Sequence, residues 1–359
     1  MLRQPASTRQ AWSGVALAGL VGALAAWLVA AGNPGNMGVC GACFLRDVGG
    51  SLGLAASAPK YFRPEIAGLM LGALATALAR GRFQARSGSH AAARFFFGAC
   101  MAIGALVFLG CPFRMLQRLG GGDLNALVGA GGLVAGVGVG LVFERRGYSV
   151  GKTSAVPAAV GALGHVFVLT LLVLFLIGGV LLGPGVEREG PPAHAAWSLA
   201  LGLGALAGAG LSLTGFCAIQ ATRQVFGGPR WMLVGAAALV AVYALVAGAT
   251  GHFQLGFAEQ PVAHRDALWN ALGLALVGLA GCLAGGCPVR QVVLAGEGNG
   301  DAFVTCMGLV LGGAVAHNLG LVSSAEGASA AGRVAVVTGL VFALAYGARM
   351  CARRDGPSV

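Results

Sequence analysis

Gly110-Cys111-Pro112-Phe113-Arg114 closes an uncharged run that begins after Arg94. Gly286-Cys287-Pro288-Val289-Arg290 closes another that begins after Asp266. Each run is of the length that crosses a bilayer, which takes about 20 mainly apolar residues. Each ends in the same way. Proline suits the first position of a new helix, where its missing N–H would have no partner anyway. The pattern therefore predicts a spanning helix, a break, and a short second helix with the cysteine near its cap. A second motif pair keeps the same register: Gly38-Val39-Cys40 leads to Arg46, and Gly215-Phe216-Cys217 leads to Arg223. The Cys40/Cys217 offset is 177 residues and the Cys111/Cys287 offset is 176. Both Cys-Pro motifs are followed by glycines and an acid, at Gly120-Gly121-Gly122-Asp123 and from Gly296 to Asp301. Two motifs at one spacing, near half the chain length, predict a tandem duplication with halves at 1–185 and 186–359.

Composition places this duplication in a membrane. Of 359 residues, 57% are hydrophobic and 10% charged, with mean hydropathy +0.81. Soluble domains carry about 45–50% apolar and about 25% charged residues. A soluble multidomain enzyme and a disordered chain are both excluded. The uncharged runs predict ten helices, centred near residues 22, 72, 102, 134, 173, 204, 241, 277, 311 and 341. The runs at 65–80 and 333–349 are short and need basic flanks that snorkel to the interface. The fold class read from the sequence is an all-α polytopic membrane protein, with short broken or re-entrant helices carrying the Cys/Arg motifs. There are 63 glycines, without a collagen period. In an apolar chain they suit close helix packing and broken helices.

Ten spans put both termini on one side. Fifteen of the 23 basic residues fall on that side and eight on the other, so the positive-inside bias puts the termini in the cytoplasm. The net charge of +11 follows from this asymmetry, not from a nucleic-acid-binding patch. The first apolar segment reads as a retained helix, not a removed signal peptide. Five spans per half would invert the second half relative to the first. In such inverted repeats the path of a transported substrate runs near the midplane, between matching Gly/Pro-interrupted segments. Those segments here carry Cys40, Cys111, Cys217 and Cys287, with Arg46, Arg114, Arg223 and Arg290. A thiol beside an arginine at a helix N-terminus attracts anions.

Cys43 completes a C-x-x-C with Cys40, which opens an alternative: a membrane thiol–disulfide oxidoreductase using Cys40 and Cys43. Cys43 aligns with Gln220 in the second half, so the pair is not duplicated. The six histidines do not fall at ligand spacing with the cysteines, and His165 and His317 read as core residues. No metal or cofactor is implied. Cys100, Cys282, Cys306 and Cys351 read as core residues, Cys282 having a second reading as part of the path. Asp47, Asp123 and Asp301 read as partners of motif arginines, or as helix N-caps for the latter two. Gln117 and Gln220 are candidate polar path residues. Phe95 to Phe97, Trp197, Trp231 and Trp269 read as lipid-facing or interfacial. Gly147 to Lys152 lacks the glycine spacing of a phosphate loop.

The duplicated Cys-Pro-x-Arg motifs and Gly-x-Cys loops resemble the YeeE/YedE sulfur-transport family, over nearly the whole chain. The stretch from Gly38 to Asp47, with Gly110 to Arg118, is similar to that family's selenium-transporter branch. The resemblance implies a bacterial inner-membrane importer of a sulfur or selenium compound, not an enzyme. It implies a relay of the anion along Cys40, Cys111, Cys217 and Cys287. The C-x-x-C and the longer arginine motifs depart from the thiosulfate importers, which leaves the substrate open between a selenium species and thiosulfate. The partners implied are that small compound, the lipid bilayer and a cytoplasmic sulfur- or selenium-handling protein, with no nucleic acid.

Overall fold

A computed structural model describes residues 8–178 and 193–355. The expected boundary at 185/186 lies outside these residues, as do Arg3 and Arg188. The helices are α1 (Thr8–Ala30), α2 (Gly41–Ser51), α3 (Pro64–Ala79), α4 (Ala91–Phe108), α5 (Pro112–Gly120), α6 (Asn125–Arg145) and α7 (Ala158–Gly178). They continue as α8 (Trp197–Thr214), α9 (Ala218–Arg223), α10 (Trp231–Ala249), α11 (Ala267–Ala284), α12 (Pro288–Gly296), α13 (Gly300–Asn318) and α14 (Ala330–Asp355). Among the described residues, strands are confined to a two-residue antiparallel pair, β1 (Arg86–Ser87) with β2 (Ser154–Ala155).

Nine helical stretches among the described residues are long and apolar enough to cross a membrane. This is the architecture of a multi-pass membrane protein. The tenth expected span, α3, has 16 residues. At 1.5 Å per residue it is about 24 Å long, less than the bilayer's hydrocarbon core. Tyr61, Phe62 and Arg63 continue its buried line, each at most 3% exposed. The other short run becomes a full helix, because α14 takes Arg333 and Arg349 into its own length.

Breaks occur where the Gly-Cys motifs stand. Helix α4 ends at Leu109, α8 at Gly215 and α11 at Gly285, each in the left-handed conformation that terminates helices. Helices α5 and α12 then restart with proline in the first turn. All four short helices, α2, α5, α9 and α12, are largely buried.

The long helices pack in crossed pairs. α1 lies along α10 and α3 along α8; α4 lies along α13 and α6 along α11; α4 also packs on α11. Lipid tails are as apolar as leucine, so such pairs gain chiefly from close backbone approach. A Cβ on Gly72 of α3 would stand 2.0 Å from Ala205 O, and one on Gly208 of α8 would stand 2.2 Å from Leu69 O. Only glycine permits this crossing. One expectation is corrected here. Phe97 is fully buried, with its ring against Phe342 and Tyr346, whereas Phe96 is 55% exposed. Three consecutive helical residues point about 100° apart and span about 200° of arc, so one of them turns inward.

Candidate functional site

Each of the four motif cysteines occupies the N-cap of a short helix: Cys40 for α2, Cys111 for α5, Cys217 for α9 and Cys287 for α12. All four have extended backbone there, as N-caps do. They are at most 1% exposed. Each cysteine of a Gly-x-Cys motif pairs with one of a Cys-Pro motif. Cys40 Sγ lies 3.5 Å from Cys111 Sγ, and the Cys287 N–H donates to Cys217 Sγ at 3.3 Å. The C-x-x-C closes as a single capping turn, with the Cys43 N–H donating to Cys40 Sγ at 3.4 Å. All nine cysteines are buried, unlinked thiols.

The Cys40 and Cys287 motifs meet at this point. A Cβ on Gly41 would stand 2.6 Å from the Pro288 carbonyl carbon and the Val289 nitrogen. The N-termini of α2 and α12 are therefore in backbone contact, and the four motifs converge on one buried region. Gly41→Ala should force these two helices apart at a cost of about 1–3 kcal/mol, in the range for overpacking. Thermal unfolding of purified protein in detergent measures it. An unchanged midpoint would mean that the two helix ends do not touch.

The motif arginines divide into two kinds. Arg46, Arg223 and Arg290 each bind a carboxylate. The Arg46 Nε donates to Asp47 Oδ1 at 2.7 Å, and its Nη1 lies 3.5 Å from His317 Nε2. Arg223 forms a two-pronged pair with Glu144, one prong at 2.8 Å. Arg290 donates to both oxygens of Glu297, at 3.2 and 3.3 Å. Arg114 is different. It is fully buried, and its guanidinium donates only to the backbone carbonyls of Asn36, Gly35, Val262 and Leu109. It ties the loop before α2 to the end of α4, which holds Cys40 beside Cys111.

The same loop is clamped by Gln117, three residues after Arg114 and on the same face of α5. Its Oε1 accepts from the N–H groups of Gly38 and Val39, at 2.9 and 3.1 Å, while its Nε2 donates to Val39 O. Gln117 thus reads the backbone that presents Cys40. Gln220, by contrast, is partly exposed at α9.

Several residues that matter here were not singled out from sequence. Arg63 donates to Asp47 Oδ2 at 2.6 Å and stacks over Phe44 and Tyr61. Arg118 is fully buried, with Nε 2.6 Å from Asp123 Oδ2, and stacks over Phe108. Glu144 and Glu297 hold motif arginines. The signal was available: acids are few in an apolar chain, and one within the membrane needs a cation.

Two further expectations are corrected. Asp301 is not an N-cap, and Asp123 stands one residue before the cap of α6, though its Oδ1 accepts from the N–H of Asn125 in the first turn at 2.9 Å. The cap of α6 is Leu124 and that of α13 is Asn299, whose side chain accepts from the Ala302 N–H. Asp123 holds Arg118, and Asp301 accepts from Ser87, Gly88 and Ser89. Cys282 lies beside the Arg223–Glu144 pair, donating to Glu144 at 3.4 Å. Cys100, Cys306 and Cys351 are buried among apolar side chains. His165 is buried with Nε2 2.9 Å from Gly296 O. Trp197 is 43% exposed, while Trp269 lies under the Arg333 guanidinium.

Comparison with known protein families found no matching family model, and comparison with curated proteins found no match.

Proposed function

We propose that this chain imports a small sulfur- or selenium-containing anion across a bacterial inner membrane, passing it between the four N-cap cysteines. The convergence of Cys40, Cys111, Cys217 and Cys287 at one buried contact between the two halves carries this reading. Thiol S–H groups are weak donors with polarisable sulfur, matched to a soft chalcogen anion. The N-termini of α2, α5 and α12 add backbone N–H groups and positive potential. Several weak contacts of this kind suit passage better than one tight site.

The fold proposed is an inverted repeat, with α1–α7 matching α8–α14. Its support is that exchanging the halves maps the α1/α10 pair onto α8/α3, and the α4/α13 pair onto α11/α6. Both termini then lie in the cytoplasm, where a sulfur- or selenium-handling protein would consume the cargo.

Purified protein in liposomes tests the reading. Labelled thiosulfate should enter faster than into empty liposomes. Selenite and sulfite should compete, and sulfate, which lacks a soft exposed chalcogen, should compete least. Influx equal to that of empty liposomes for both labelled thiosulfate and labelled selenite would overturn it.

A further inference from the structure

Arg290 and Glu297 form part of the wall of an open cavity of about 520 Å³. Arg80, Arg82 and Arg86, from the segment between α3 and α4, line the same cavity. All three are exposed, and none is in an ion pair among the described residues. Four arginines thus face one carboxylate. The cavity reaches Gly215, two residues before Cys217, and Arg290 lies in the first turn of α12 after Cys287. Glu297 is held from two sides, since Ser212 Oγ also donates to its Oε1 at 2.9 Å. Arg290 and Glu297 are 12% and 22% exposed, so the pair stands at the water's edge.

The matching place in the first half is filled. Glu297 lies 176 residues after Gly121, where a Cβ would stand 2.0 Å from Asn36 Oδ1. Arg114, the match of Arg290, is sealed by backbone carbonyls. The place around Arg290 is open and holds a carboxylate; the place around Arg114 is packed, and its guanidinium meets only carbonyls.

We propose that this cavity is a vestibule that binds small oxyanions and thio-oxyanions, with Glu297 as a tethered competitor for Arg290. Arg80, Arg82 and Arg86 draw the anion in by long-range attraction, which salt weakens. At the floor the anion displaces the Glu297 carboxylate from the Arg290 fork, whose geometry accepts two oxygens at once. Glu297 keeps the affinity low, which a release site requires. This inference takes its place in the path from the transport reading, but its test does not depend on transport.

Thiosulfate binding to purified protein in detergent, by calorimetry, is the measurement. Glu297→Gln should tighten binding about tenfold, by freeing one charge-assisted partner. Glu297→Asp, which keeps the charge, should stay near wild type. Arg290→Gln should weaken binding, and the triple Arg80/Arg82/Arg86→Gln variant should flatten its salt dependence. Cys306→Ala, which changes a buried thiol that does not line the cavity, should bind as wild type does. Equal affinity in Glu297→Gln and wild type would overturn the vestibule and leave the liposome result untouched. Tightened binding in a protein without anion influx would keep the vestibule and remove the transport reading.

Discussion

Asp47→Ala should destabilise the protein more than any other single change at the site. Asp47 is fully buried and bridges two guanidiniums, at 2.7 Å to Arg46 Nε and 2.6 Å to Arg63 Nε. Removing one partner of a buried pair costs about 3–5 kcal/mol, because the remaining charge is left without compensation. Here two cations are left, so the upper end of that range is expected. The stacking of Arg63 on Phe44 and Tyr61 remains but is worth much less, about 0.5–2 kcal/mol. Arg63 also keeps its bond to Ala193 O at 3.0 Å. Asp47→Asn should fall between, since an amide oxygen still accepts a hydrogen bond but carries no charge. Thermal unfolding in detergent checks the order Asp47→Ala below Asp47→Asn below wild type. A midpoint for Asp47→Ala equal to wild type would show that the cluster is not buried as described.

Cys111→Ala combined with Cys287→Ala should lower thiosulfate and selenite uptake about tenfold or more. Each thiol hydrogen bond contributes about 0.5–1.5 kcal/mol net, and about 1.4 kcal/mol is a factor of ten. Both cysteines are N-caps with extended backbone, so alanine leaves the helix starts intact and Pro112 and Pro288 still direct the turn. The control is Cys306→Ala. Cys306 is as deeply buried, but it lies within α13 and caps no helix. Its replacement should leave uptake unchanged at equal expression. Unchanged uptake in the double variant would remove the relay. Equal losses in both variants would mean that packing, not thiol chemistry, was measured.

The fold class was legible because its causes are local and repeated. An uncharged run of about 20 residues satisfies its own backbone only as a helix in lipid. Gly-Cys-Pro reports a helix end and a helix start within three residues, and both breaks are where it stands. The misreadings have a common source. Asp123 and Asp301 precede or begin helices, so a local cap was the nearest partner in sequence. Asp301 instead accepts from Ser87, Gly88 and Ser89, more than 200 residues away in the chain. Likewise α3 was expected as a full span, and its 16 residues are completed by the buried segment at 61–63.

Sequence alone determined that the cysteines would cap short helices beside arginines, because capping and helix restart are set within a few residues. The pairing of Arg46 with its neighbour Asp47 was legible in the sequence; the tertiary structure decided what the other three arginines meet. Arg290 occurs in the same Cys-Pro-x-Arg pattern as Arg114, and Arg46 and Arg223 share the other motif, yet three meet carboxylates from Asp47, Glu144 and Glu297 while Arg114 meets only carbonyls. The reason is physical. A guanidinium in a low-dielectric interior takes whichever acceptors the packing brings within about 3 Å. Two are local, Asp47 beside Arg46 on α2 and Glu297 at the end of α12; the others come from another helix, as Glu144 does for Arg223, or from loops, as Asn36 does for Arg114. The motif spells out the donor; the fold supplies its partner.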